Sequence, residues 1–323
     1  MSEKSLNPID PTYIKTLKLC IWTIFILIAL GGIVRATGSG MGCPDWPKCF
    51  GEYIPPTSID QLPQDYKTKF AVSGRRVADF DPIKTWIEYI NRLFGVWTGF
   101  ALLALSFFSF KYRKTRKDIF WSSQLSLFLV ILNGWLGSKV VSTHLAPGVI
   151  TAHMILAVLL VFALFHIKKL VGLIPVVDRS VENLRKYKNF ALILVVLVMI
   201  QIILGTQVRE QIDHITNTEP NLAKSNWLGR LDWVFYIHRS FSIVLVLSFF
   251  KFIKDVRETF ADNAYVQKSL IDIMLCLFAE IAAGVILAYF AFPSLAAPIH
   301  LLFAIILIAK LYEFFEFLRM KKV

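Results

Sequence analysis

The sequence predicts an all-α membrane protein: eight transmembrane helices forming two tandem four-helix bundles, related by a pseudo-two-fold axis along the membrane normal. Three observations carry that expectation. Hydrophobic residues fill 56% of 323 positions and charged residues only 18%, with a mean hydropathy of +0.58, too apolar for a water-soluble domain of this length. Apolar runs near 17–36, 92–110, 118–141, 148–167, 189–208, 233–253, 269–291 and 296–318 have spanning length, roughly 17 to 25 residues each. The segment Trp86-Ile-Glu-Tyr-Ile-Asn-Arg-Leu-Phe94 returns 147 residues later as Trp233-Val-Phe-Tyr-Ile-His-Arg-Ser-Phe241, with five of nine positions identical.

Each run reads as helix, because none alternates like a strand and lipid admits only helices or closed barrels. The first span follows 15 polar residues with no cleavable leader expected. Between the first and second spans lies an outer loop, 37–85, rich in glycine and proline. The turn Lys111-Tyr-Arg-Lys-Thr-Arg-Lys117 carries five cations in seven residues, and Lys168, Lys169, Arg185, Lys186 and Lys188 mark the next turn on that side. Short basic loops stay in the cytoplasm. Lys251, Lys254, Arg257, Lys321 and Lys322 fall on the same side, so both termini are expected to be cytoplasmic. The net charge of +12 is spread over these turns and forms no basic, aromatic-interleaved face of the kind that binds nucleic acid.

The repeat keeps its register beyond the first motif. The same offset sets Gly137 against Gly284 and His153 against His300, and Leu30-Gly-Gly-Ile-Val-Arg35 resembles Leu204-Gly-Thr-Gln-Val-Arg209. Four crossings per copy keep both copies in one orientation. The expected domains are 1–178 and 179–323.

The copies differ where chemistry is expected. In the second, His238 and His300 come from two even-numbered spans near the outer surface, and two imidazoles converging inside a helix bundle suit a six-coordinate haem iron. Otherwise each histidine is an interfacial residue hydrogen-bonded to its neighbours, though ionisable groups inside spans are functional candidates by default. In the first copy only His153 matches; Asn91, a poor iron ligand, faces it, and Glu88 lies one turn from Asn91 on the same helical face. A carboxylate at that apolar boundary suits acid or base work, or it pairs with Arg92 at i,i+4. Arg35, Arg92, Arg209 and Arg239 are candidate partners for haem propionates, or interfacial anchors. Thr37 and Ser39 read as turn-capping residues or contacts for polar substrate edges.

The run Gly31-Gly-Ile-Val-Arg-Ala-Thr-Gly-Ser-Gly-Met-Gly-Cys-Pro-Asp-Trp-Pro-Lys-Cys-Phe-Gly51, followed by Pro55-Pro56, resembles the first outer loop of the haem A synthase family. The resemblance extends through the Glu88 to Arg92 motif, Gly134 to His153, Leu204 to Arg209, Tyr236-Ile-His-Arg239 and His300. It implies an oxidoreductase of the bacterial inner membrane that oxidises the ring methyl of haem O to the formyl of haem A by successive hydroxylations, for haem-copper terminal oxidases. On that resemblance His238 and His300 hold a haem b, His153 and the Asn91 pocket take the substrate haem O, and Glu88 is the catalytic acid/base. A quinone or cytochrome accepts the electrons, and haem O synthase, terminal oxidase assembly factors and membrane lipid are the expected partners. One departure matters: many members have histidine where this chain has Asn91, so either His153 alone ligates the substrate iron or His144 substitutes.

Cys43 and Cys49 sit in the outer loop, where an oxidising compartment and a short spacing permit a disulfide; in the resembled family that pair is a structural staple or a thiol partner. Cys20 and Cys276 lie within spans and read as core. Residues 57–85 are a lid over the first bundle or a docking surface. A competing class is a membrane di-haem b-type electron-transfer cytochrome without substrate chemistry. Four good ligands would favour it, whereas this chain offers three and Glu88.

Overall fold

The computed structural model describes residues 8–178, 183–219 and 221–319. Among the described residues there are eight long helices and no strand: α1 (Pro11–Ala36), α2 (Pro82–Ser109), α3 (Lys117–Ser142), α4 (Pro147–Leu170), α5 (Leu184–Thr218), α6 (Trp233–Thr259), α7 (Ala264–Tyr289) and α8 (Ala296–Leu318). Seven of them, α1 to α7, are long and apolar enough to cross a membrane, so the chain is a multi-pass membrane protein. Helix α8 is the most enclosed, with twelve of its 23 residues buried, because it packs on α1, α4, α5 and α7.

Local chemistry fixes where the helices begin. The Asp10 carboxylate accepts from Thr12 N–H before Pro11–Ala36, Asp81 accepts from Ile83 and Lys84 N–H, and Asp232 accepts from Val234 N–H. An N-cap aspartate satisfies orphan amides, and proline at the first helical position lacks the N–H that would be wasted there. Helix α2 consequently starts at Pro82, well before the apolar run near 92, and Tyr89 to Arg92 lie inside the helix. Helix α5 likewise runs to Thr218, past its apolar stretch, and carries Arg209, Glu210 and Asp213 on its last turns. Polar helical turns are invisible to a hydropathy window, which explains both differences.

Helix α1 packs on α2, α2 on α3, α3 on α4, and α4 back on α1; α5 to α8 repeat that order, and α1–α8, α4–α8 and α4–α5 contacts join the two sets. The start of α1 meets the turn after α2 through Lys111 Nζ to Asp10 Oδ2 at 3.0 Å, and the end of α8 meets the turn after α6 through Phe260 and Phe317. Both described ends of the chain therefore share one end of the bundle with those basic turns. Lys321, Lys322 and residue 179, the expected start of the second domain, lie outside the described residues.

Buried polar ties thread the apolar core. Tyr13 Oη and Ser123 Oγ share a hydrogen bond of 2.7 Å between α1 and α3, and Lys168 Nζ donates to Glu313 Oε1 at 2.6 Å between α4 and α8. At the crossing of α1 and α8, a Cβ on Gly32 would stand 3.3 Å from Pro298. Small residues let membrane helices approach this closely. Gly32→Leu should therefore force the two helices apart and lower stability by about 1–3 kcal/mol. Gly134→Leu, on an exposed face where a Cβ meets open space, should not lower the unfolding transition in detergent.

Candidate functional site

The structure brings the predicted histidines of α6 and α8 together. The rings of His238 and His300 stand 6.4 Å apart between centroids and nearly perpendicular, at 86°. A neighbouring helix makes room for each ring with a glycine: a Cβ on Gly205 of α5 would lie 3.3 Å from His238 Cε1, and one on Gly284 of α7 would lie 3.4 Å from His300 Cε1. His153 of α4 is lodged in the same way against Gly137 of α3, with 3.4 Å to Cε1. Asn91 of α2 stands opposite Gly31 of α1, its Oδ1 3.9 Å from where a Cβ would be. That oxygen is buried without a partner among the described residues.

Ring orientation is set by the second nitrogen. The Nδ1 of His153 lies 3.1 Å from the backbone carbonyl of Asn133, so an Nδ1–H donates there and leaves Nε2 as the acceptor. His300 Nδ1 contacts the Glu280 carboxylate on α7. His238 Nδ1 is buried with no partner among the described residues. Metal-ligating histidines characteristically hold one ring nitrogen in such a bond and present the other to the metal.

Glu88 is buried, at 3% exposure, and its carboxylate is fully engaged. Its Oε2 accepts from Cys43 N–H at 2.8 Å, and its Oε1 accepts from Arg92 Nε at 3.1 Å and Nη2 at 2.5 Å. Arg92 also donates to the carbonyls of Cys43, Asp45 and Lys48 at 2.6, 2.6 and 3.0 Å. The i,i+4 pair weighed from the sequence thus exists, and it clamps α2 to the outer loop. Arg92 spends its donors on that loop and has none directed at a propionate.

Cys43 and Cys49 form a disulfide inside a small apolar cluster with Phe50 and Tyr66, packed by Phe70, Phe80 and Tyr89. Gly42 is obligatory at this contact, since a Cβ there would collide with the Lys84 carbonyl at 2.6 Å. The loop reaches the far end of α3 through Ser73 Oγ to the Ser142 carbonyl at 2.9 Å. The loop therefore bridges the start of α2 and the end of α3. At its exposed edge Lys67 donates to Asp79 at 2.5 Å, and that hydrogen bond holds the Asp79 carboxyl below the usual carboxylate range.

The remaining candidates divide. Arg35 and Arg209 both pair with Asp213, at 2.8 and 2.9 Å, which ties α1 to α5. Arg239 is exposed and makes no ion pair among the described residues. Thr37 caps α1 on the Ile33 carbonyl and bonds Ser39 at 2.6 Å, the turn-capping duty expected of it. His144 lies in the left-handed region (φ 56°) just past α3, donating its N–H to Val141. Cys20 and Cys276 are buried in the core.

Residues 15–312 match the COX15-CtaA family, described as cytochrome oxidase assembly protein. The chain belongs to that family. Among curated relatives named haem A synthase, that of Shewanella oneidensis is 28% identical over 220 residues, covering 67% of this chain and 62% of that protein. The Rickettsia bellii relative is 27% identical over 328 residues, covering 90% and 93%, and the Pelagibacter ubique relative 31% over 213 residues, 60% of each.

Sequence reading missed Glu280. Two signals were present: an acid deep within the apolar stretch of α7, which holds only Asp272 besides, and the repeat offset, which aligns Glu280 with Asn133. For the Glu88–Arg92 clamp, removing one partner of a buried pair strands a charge and costs about 3 kcal/mol. Arg92→Leu should therefore unfold far more readily on heating than the wild type, and Glu88→Leu/Arg92→Leu should recover most of the loss in a double-mutant cycle.

Proposed function

We propose that the chain is a haem A synthase, oxidising the ring methyl of haem O to the formyl group of haem A for terminal oxidase assembly. The observation that carries this reading is the inequality of the two glycine-cradled sites: facing imidazoles, His238 and His300, in one, and a single imidazole, His153, opposite an unpartnered Asn91 in the other. The donor set fits the groups assigned to it. His238 and His300 hold haem b, which when bound supplies one-electron redox chemistry; His153 takes the iron of the substrate.

In this reading the eight helices are all spans. They form tandem bundles over 1–178 and 179–323, related by a pseudo-two-fold axis along the membrane normal, in a bacterial inner membrane with cytoplasmic termini. The ring of contacts among α1 to α4, repeated among α5 to α8, supports that arrangement. His153 orients the substrate through an Nδ1–H held by the Asn133 carbonyl. Asn91, whose buried Oδ1 has no partner among the described residues, would leave room for water beside the substrate, which would suit hydroxylation of its ring methyl. Glu88, one turn from Asn91, is the acid/base group; Arg92 and the Cys43 N–H fix its carboxylate, and the disulfide loop shields it from bulk solvent. Arg239, exposed beside His238, is the propionate partner among the four arginines. A haem held by His238 and His300 would supply one-electron chemistry toward a quinone or cytochrome acceptor, and substrate would come from a haem O synthase.

The cytochrome alternative is disfavoured by Asn91, which leaves the first site one ligand short. Extraction and chromatographic separation of the pigments of the purified protein, expressed with a haem O supply, tests the reading. Haem b together with haem O or A is expected; haem b alone would favour the cytochrome, and no haem would overturn the proposal. Glu88→Gln, which keeps the shape and hydrogen-bonding capacity of the clamp, should keep the haem b spectrum and wild-type helicity while haem A formation falls at least a hundredfold, and retained activity would remove Glu88 from its role.

A further inference from the structure

The two copies of the repeat differ behind the histidine as well as across from it. At the shared offset of 147 residues, Asn133, Gly137 and His153 correspond to Glu280, Gly284 and His300. The glycine contacts are alike, 3.4 Å to Cε1 in both. The partner of Nδ1 is not. In the first copy it is a neutral backbone carbonyl, that of Asn133 at 3.1 Å. In the second the Glu280 backbone likewise bonds the His300 ring, and the Glu280 side chain is added to it: its Oε2 contacts His300 Nδ1, while both carboxylate oxygens are buried and Oε1 has no further partner among the described residues. A carboxylate in an apolar span is costly, and neither the repeat nor the packing requires one at this position, since Asn133 occupies the equivalent place.

A carboxylate acceptor draws the Nδ1 proton toward itself and raises the basicity of the far nitrogen. Buried negative charge beside an iron ligand also favours the more positive metal, by Coulomb attraction that low-dielectric surroundings weaken little. Both effects stabilise ferric over ferrous iron. A carbonyl carries only a partial charge and exerts less of each.

We propose that Glu280 is a positioning residue that holds the Nδ1 proton of His300 and makes the iron between His238 and His300 harder to reduce, so that the repeat carries a built-in difference in redox poise. The inference rests on the reading of His300 as a haem b ligand. It assigns Glu280 no contact with substrate; its action passes through His300 alone.

Redox titration of the haem b absorbance in purified wild type, Glu280→Gln and Glu280→Asp tests it, with circular dichroism as the check on folding. Gln preserves shape and hydrogen bonding while removing charge, so its midpoint potential should rise by a tenfold shift in the oxidised-to-reduced ratio, about 59 mV for one electron, with the reduced spectrum unchanged. Asp should titrate near the wild type. If Gln loses haem while Asp retains it, the carboxylate serves to seat the haem and not to set its potential, and the proposal of a built-in redox difference is overturned. A Gln variant that binds haem at the wild-type potential overturns it. Loss of haem from both variants with helicity intact also overturns it, because the residue would then serve packing around His300. A wild-type protein without haem would instead refute the functional reading itself.

Discussion

Three imidazoles in this protein can press their Cε1 edge against a neighbouring helix only because that helix has no side chain at the contact. Gly137, Gly205 and Gly284 each leave 3.3–3.4 Å between a notional Cβ and a histidine Cε1. Any side chain there would push the ring, and a ring displaced by an ångström no longer meets its opposite number. The constraint reaches outward from these contacts. It fixes which faces of α3, α5 and α7 turn inward, and it brings α6 and α8 close enough for His238 and His300 to face one another at 6.4 Å. It also accounts for glycines in helices where they otherwise weaken the backbone.

The same geometry serves two unequal sites. At Asn91 the first set of helices keeps the glycine opposite, Gly31, but replaces the ring with a short amide whose oxygen has no partner among the described residues. Above that site the chain invests a disulfide, a small aromatic cluster and the Glu88–Arg92 clamp; the apolar cluster above the second site, built on Ile212, Ile215, Leu231 and Phe235, has no disulfide. In the proposed function that asymmetry separates a lidded reaction pocket from an electron-transfer centre. Phe235, where the repeat places Glu88, fits that division.

Much of this was legible in the sequence because hydropathy and the 147-residue offset are long-range signals. They located eight helices, the pairing of His238 with His300, and the difference at Asn91. The start of α2 was not legible, since its first turns are polar and held by Asp81 and Pro82. The destination of Arg92 was hidden for another reason: its partners are backbone carbonyls of Cys43, Asp45 and Lys48, which any residue type could supply. Asp213, which gathers Arg35 and Arg209, lies on a helical extension beyond the apolar run. Glu280 could have been found by reading the repeat in α7 as closely as in α6.

Inequality of the two sites shows most directly in the ligation state of each haem. Electron paramagnetic resonance with haem quantification on purified protein should give one low-spin haem b per chain, abolished by His238→Ala and retained in His153→Ala. Two low-spin haems b per chain, or equal loss from either substitution, would contradict the account.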